Sequence, residues 1–237
     1  MTRTIVFVGP TLPASDVTRL LPGATVAPPV AVGDVLALAR RGRRAVTRIA
    51  IIDGYFERMA AVWHKEILLA LERGIEVWGA ASMGALRAAE LAPFGMIGVG
   101  TIYQWYASGT LVADDAVAVA HLPAEFGYRA TSDALVNLIY AIDRAPMLSR
   151  RTRAALVELA RAPFYRERSW QRLYADARAA RLPARQLAAL AAWPKPDRKA
   201  ADARLLLRRM ARAAPLAHPA RIRVPRTWAL AQLLRLG

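Results

Sequence analysis

In "EVWGAASMGALRAAE" (76–90) a single serine, Ser82, stands between an apolar run and an alanine-rich helical segment, with neighbours too small to crowd it. Ala80-Ala81-Ser82-Met83-Gly84 is a variant of Gly-x-Ser-x-Gly, the turn that presents a nucleophilic hydroxyl between a strand and a helix. The backbone N–H groups of a helix's first turn lack intrahelical acceptors, and the helix dipole there favours negative charge. Met83 N–H is therefore placed to donate to an oxyanion. Gly84 and the alanines allow strand and helix to approach. Serine is equally a common N-cap, which is the alternative role for Ser82.

A hydroxyl nucleophile needs a base to take its proton. Of 34 basic residues only Lys65, Lys195 and Lys199 are lysine, and Lys65 is the sole lysine before residue 144. Burial can neutralise a lysine amine so that it accepts a proton, whereas arginine stays charged. Apolar residues nearly encircle "AAVWHKEILLALERG" (60–74), which places Lys65 in a low-dielectric wall where desolvation favours the neutral amine. Lys65 thus pairs with Ser82 as a Ser-Lys couple. His64 is the rival, in a Ser-His-acid arrangement with Asp53, Asp114 or Asp115 as orienting carboxylate. Adjacent helical residues project about 100° apart, so His64 and Lys65 cannot both face one oxygen. The sequence leaves the choice open. The three aspartates also suit turns and solvated caps, and His121 and His218 read as bystanders.

The elements that must position these groups alternate. Apolar runs at 4–9, 48–53 and 75–80 read as strands, and the patterns at 33–42, 57–74 and 83–91 as helices. Such alternation predicts right-handed βαβ units: an α/β fold with a mostly parallel sheet core and flanking helices. Gly9-Pro10-Thr11, Asp53-Gly54 and Ser82 then follow the carboxyl ends of strands, where open α/β sheets form their clefts. "MIGVG" (96–100) and "AVAVAH" (116–121) read as further strands, and "SDALVNLIYAI" (132–142) as a helix.

Composition limits the rest. The chain has 237 residues and no cysteine, which removes disulfides and thiolate chemistry. Its three histidines have no metal-site spacing, so no metal is expected. The start lacks the flanks of a signal peptide and no run approaches a membrane span, which predicts a soluble, cytoplasmic chain without a membrane partner. The net charge of +16 is lopsided: residues 1–143 sum to −1 and residues 144–237 to +17. We therefore divide the chain into an α/β core (1–143) and a basic α-helical C-terminal region (144–237). The arginines of that region are interleaved with Ala and Leu at helical spacing, as on solvated helix faces, which makes nucleic acid an unlikely partner.

"VFVGPTLPASDV", "IAIIDGYFERMAAVWHKEILLALERGIEVWGAASMGALRAAELAPFGMIGVGTIYQWYASG" and "DDAVAVAH" resemble the TfuA-like family, over roughly residues 5–143. Members of that family accompany YcaO enzymes in peptide-backbone thioamidation of the trifolitoxin type. The resemblance implies a hydrolase-like site whose Ser-Lys pair falls on Ser82 and Lys65. It implies sulfide release from a ThiS-like, ubiquitin-like sulfur carrier that ends in a glycyl thiocarboxylate, and help for YcaO in engaging its precursor or target peptide. No cofactor is required for such chemistry. On this reading Gly9, Pro10, Thr11, Asp53 and Gly54 line the cleft, with Met83 and Gly84 beneath the oxyanion. The alternative within the same family is a non-catalytic adaptor that only strengthens YcaO's hold on its peptide.

Overall fold

The computed structural model describes residues 3–56, 60–214, 223–225 and 227–235. They form two compact units, 1–112 with 200–237 and 113–199. These boundaries differ from the change in charge at 143/144. Charge follows the solvated faces of helices, whereas a compact unit is defined by which apolar faces pack together.

The first unit contains β1 (Thr4–Phe7), α1 (Ala14–Leu20), β2 (Thr25–Ala27), α2 (Asp34–Arg41), β3 (Arg48–Ile51), α3 (His64–Glu72), β4 (Glu76–Ala80), α4 (Met83–Leu91), β5 (Ile97–Val99) and α5 (Thr101–Ala107). All strand pairs are parallel, in the order β2-β1-β3-β4-β5. That order reverses direction between β1 and β3, the switch point at which flavodoxin-like doubly wound sheets open a crevice.

Every residue of β3 and β4 is buried, because helices cover both faces of the sheet. Alternate side chains serve opposite faces. Ile49, Ile51 and Val77 pack with Leu36, Ala39, Ile67 and Met83, under α2, α3 and the start of α4. Ala50, Ile52, Trp78 and Ala80 pack with Val17 of α1 and with Ala203, Leu206, Leu207 and Met210.

The second unit holds α6 (Leu135–Arg144), α7 (Arg150–Arg161), α8 (Trp170–Ala179) and α9 (Ala184–Ala192). α10 (Arg198–Arg212) begins at its end and, from Ala200, belongs to the first unit, as does α11 (Trp228–Arg235). The buried positions of α10 recur at helical spacing, so one face of this basic helix is core while Arg208, Arg209 and Arg212 stay exposed.

Four elements depart from expectation. The helix expected over 57–74 begins at His64, with Ala60–Val62 irregular and residues 57–59 outside the described residues. "AVAVAH" is not a strand. It is a 3-10 turn (Asp114–Val117) followed by extended chain with one antiparallel bridge, His121 to Ala130. Its Val/Ala alternation satisfies the strand pattern, but Ala116, Val117 and Ala118 are buried with no neighbouring strand among the described residues to form a ladder. The edge strand β2 and the helix α1 follow no strong periodic pattern and are additions from the structure. Among the described residues no helix is long and apolar enough to cross a membrane.

Candidate functional site

The strand-to-helix turn is the most constrained feature of the carboxyl edge. β4 ends at Ala80, Ala81 takes φ +67°, Ser82 follows at φ −120° and ψ −127°, and α4 starts at Met83. A buried alanine in the left-handed region is costly by about 1–3 kcal/mol and persists only where the surroundings impose it. Here they do. A Cβ on Gly84 would lie 1.7 Å from the Ile51 carbonyl oxygen, and one on Gly79 would lie 2.1 Å from that of Gly84. The first turn of α4 is thus pressed onto β3 and β4, and the left-handed residue is the bend that permits it. Gly84 N–H donates to Ile52 O at 3.3 Å.

Ser82 is 7% exposed. It occupies the N-cap position of α4, yet its side chain makes no cap hydrogen bond. The hydroxyl therefore does not perform the ordinary structural task of a serine at a helix start. Only its backbone does, with Ser82 O accepting from Ala85 N at 2.9 Å and Leu86 N at 3.3 Å. Met83 N–H, the first of the helix, has no intrahelical acceptor.

The other two strand ends meet this turn. Asp53 is 1% exposed and its carboxylate accepts from Gly9 N (2.9 Å), Thr11 N (3.0 Å) and Thr11 Oγ1 (2.6 Å). It clamps the loop after β1 to the end of β3. In doubly wound folds such a loop commonly turns its N–H groups toward a bound phosphate; here the protein's own carboxylate occupies that role. Gly54 lies against the turn itself, since a Cβ there would sit 2.8 Å from Met83 Cγ and 3.0 Å from Val30 Cγ1. Asp53 thus holds Gly9 and Thr11, while the next residue, Gly54, lies against Met83 in the turn that carries Ser82 and Gly84; Pro10 is half-buried between the two loop donors.

The candidate bases lie on the first turn of α3. His64 Nε2 is 2.7 Å from Glu90 Oε2, and Arg87 Nη1 donates to the same oxygen at 2.8 Å while its Nε donates to Val62 O. Burial pushes the Glu90 carboxyl up, but the His64 and Arg87 hydrogen bonds outweigh it and hold Glu90 below the usual glutamate range. Glu90 is eight positions beyond Ser82, about 12 Å along a helix, so the His64–Arg87–Glu90 cluster ties α3 to the later turns of α4. The carboxylate facing His64 is Glu90, not Asp53. Its signal in the sequence was the Arg87-x-x-Glu90 spacing on one helix face.

Lys65 is half-buried rather than enclosed, and its Nζ donates to Thr227 Oγ1 at the start of α11. Glu66, beside it, is fully buried. One oxygen accepts from Trp63 N at 3.1 Å, and the other from Gly33 N at 2.8 Å and Leu36 N at 3.1 Å. A single carboxylate thereby caps the N-termini of both α2 and α3. Burial raises its pKa above the ordinary value, against the pull of those three N–H groups.

Asp114 and Asp115 belong to the second unit. Asp114 is exposed, and Asp115 is engaged by the buried Arg168, whose Nη2 donates to its carboxylate at 2.8 Å and Nη1 to its carbonyl at 3.0 Å. These contacts brace that unit. His121 Nδ1 donates to Leu122 O at 2.8 Å and its ring meets the Tyr128 ring edge-on, and His218 lies outside the described residues. Among the described residues no group of three or more His, Asp or Glu is arranged to hold a metal ion.

A family model for TfuA-like proteins matches residues 53–169, from the Asp53-Gly54 loop through Lys65 and Ser82 into the second unit. Over that stretch the chain is similar to the TfuA-like family. The match runs past 143 into the basic region, so the change in charge does not mark where the family's sequence ends. Among curated proteins nothing matches the chain.

Proposed function

We propose that this TfuA-like protein is the hydrolytic partner of a YcaO enzyme in peptide-backbone thioamidation, and that it releases sulfide from a thiocarboxylated, ubiquitin-like carrier. The observation that carries the reading is Ser82 itself: a low-exposure hydroxyl at a strained strand-to-helix turn, not used as a helix cap, over backbone groups suited to an oxyanion. In the proposed step Ser82 Oγ attacks the thiocarboxylate carbon while its proton passes to the Lys65 amine. The C–S bond then breaks, hydrosulfide departs with that proton, and an acyl-serine remains. Water, deprotonated by the same amine, attacks the ester carbonyl and frees the carrier carboxylate and the serine. Hydrosulfide is a far better leaving group than an amine, so the first half needs no strong acid.

The small residues Gly9, Gly54 and Gly84 suit a cleft for a narrow, glycine-ended tail. The exposed arginines of α10 suit acidic faces of the carrier or of YcaO, where charge guides encounter more than it adds affinity. The test uses purified thiocarboxylated carrier and measures sulfide. Ser82→Ala should abolish release, and Lys65→Arg, which keeps the charge but not the base, should lower it by roughly 100-fold. If both variants release sulfide at the wild-type rate, the protein acts instead as an adaptor for YcaO.

A further inference from the structure

The C-terminal segment meets the candidate base at Thr227. Val224 (5% exposed) and Leu230 (0%) enter the core that lies over α2 and α3. Val224 N donates to Glu72 Oε1 at 3.0 Å, and Arg40 Nη2 donates to Leu234 O. Between these anchors stands Thr227, whose backbone N–H donates to Pro225 O at 2.9 Å. Its Oγ1 accepts from Leu230 N at 3.4 Å, capping α11, and from Lys65 Nζ. One hydroxyl therefore serves both the start of a helix and the amine.

The neighbouring Trp228 is 78% exposed. The anchored ends and the solvent-facing middle give the segment an uneven hold. These C-terminal residues lie beyond the stretch matched by the family, 53–169, whereas Lys65 lies within it.

We propose that Thr227 is a positioning residue for Lys65, and that the segment formed by Arg223–Pro225 and Thr227–Arg235 is a strap that withholds the amine from Ser82 until the Thr227 contact opens. This regulation rests on the hydrolase reading for its consequence, but the contact can be tested without it. The chain's scarcity of lysine makes the test direct, because acylation by a water-soluble amine reagent, read by mass spectrometry, has only Lys65, Lys195 and Lys199 to report on. Lys199 is 4% exposed and donates to Val117 O at 2.9 Å, and Lys195 Nζ donates to Ala191 O and lies over the Trp170 ring. Both serve as internal references.

Thr227→Val removes the acceptor at nearly constant volume, and Thr227→Ser restores it. Loss of one hydrogen bond of about 1 kcal/mol should speed Lys65 acylation about fivefold in the Val variant. Lys195 and Lys199 should not change, and the Ser variant should match wild type. Sulfide release from the carrier should rise by a similar factor in the Val variant alone. Unchanged Lys65 labelling in Thr227→Val, or a Ser variant that labels like the Val one, overturns the strap. If labelling responds as expected while neither wild type nor variant releases sulfide, the strap stands and the hydrolase reading falls.

Discussion

Replacing Gly84 by alanine tests the geometry on which the candidate site depends, because two effects of opposite sign compete there. Gly84 is the second residue of α4, and in an unconstrained helix alanine is favoured over glycine by up to about 1 kcal/mol. The structure opposes this. The new Cβ would sit 1.7 Å from Ile51 O and 2.6 Å from Ile51 C, both backbone atoms that no rotamer can move aside. Restoring an ordinary contact of 3.4 Å requires α4 and β3 to separate by about 1.7 Å along that line. Such a shift also breaks the Gly84 N–H to Ile52 O hydrogen bond. Overpacking costs about 1–3 kcal/mol and a buried donor left unpaired about 1–3 more, so a net loss of about 1–5 kcal/mol is expected after the helix gain. With a urea m-value of about 2 kcal/mol/M, the midpoint should fall by about 0.5–2.5 M. Urea unfolding should be followed by hydrogen exchange of α4 and β3 peptides, since the chain has two compact units and a global probe averages them. A Gly84→Ala midpoint equal to wild type, or raised, would refute the close approach and with it the pressed turn beneath Ser82.

Two further outcomes follow from the carboxylates of α3 and α4. Glu66→Ala leaves the N–H groups of Trp63, Gly33 and Leu36 without their acceptor, and should cost about 2–4 kcal/mol, seen as a lowered melting temperature with faster exchange at the first turns of both α2 and α3. Glu90 titrates below its usual value of 4.5 in the folded protein, so its contribution is present above that pH and is lost as the pH falls through the depressed value. Because its side chain is 36% exposed, the contribution is at most about 1 kcal/mol. Stability of wild type relative to Glu90→Gln, measured by urea midpoints from neutral to acid pH, should therefore shrink toward zero below 4.5, and a constant difference would show that the His64–Arg87–Glu90 cluster is not ionic.

The parallel sheet was legible because buried strands and amphipathic helices carry different periods, and runs such as "RIAIID" and "EVWGA" leave little choice of either. Ser82 was legible for a related reason. A strand that stops and a helix that starts within three small residues must turn sharply, and the turn lies at the carboxyl edge in any βαβ unit. Local chemistry of that kind is written in neighbours along the chain. "AVAVAH" shows the limit, since alternation states which side chains can share a face but not whether a partner strand exists.

What only the tertiary structure decided is which side chains meet. Asp53 was visible as an acid at a strand end, but that it faces Gly9 and Thr11 rather than a histidine depends on β1 and β3 being neighbours across 44 positions of chain. The same holds for Glu66, which reads as one more helix residue until α2 and α3 pack and their N-termini point at a single carboxylate. His64 and Lys65, adjacent in sequence, are sent by the twist of one helix to different partners, Glu90 on α4 and Thr227 162 positions away. Periodicity reports burial, which is a property of one segment and its surroundings on average. A hydrogen bond between distant residues depends on strand order and helix docking together, and no local pattern carries that information.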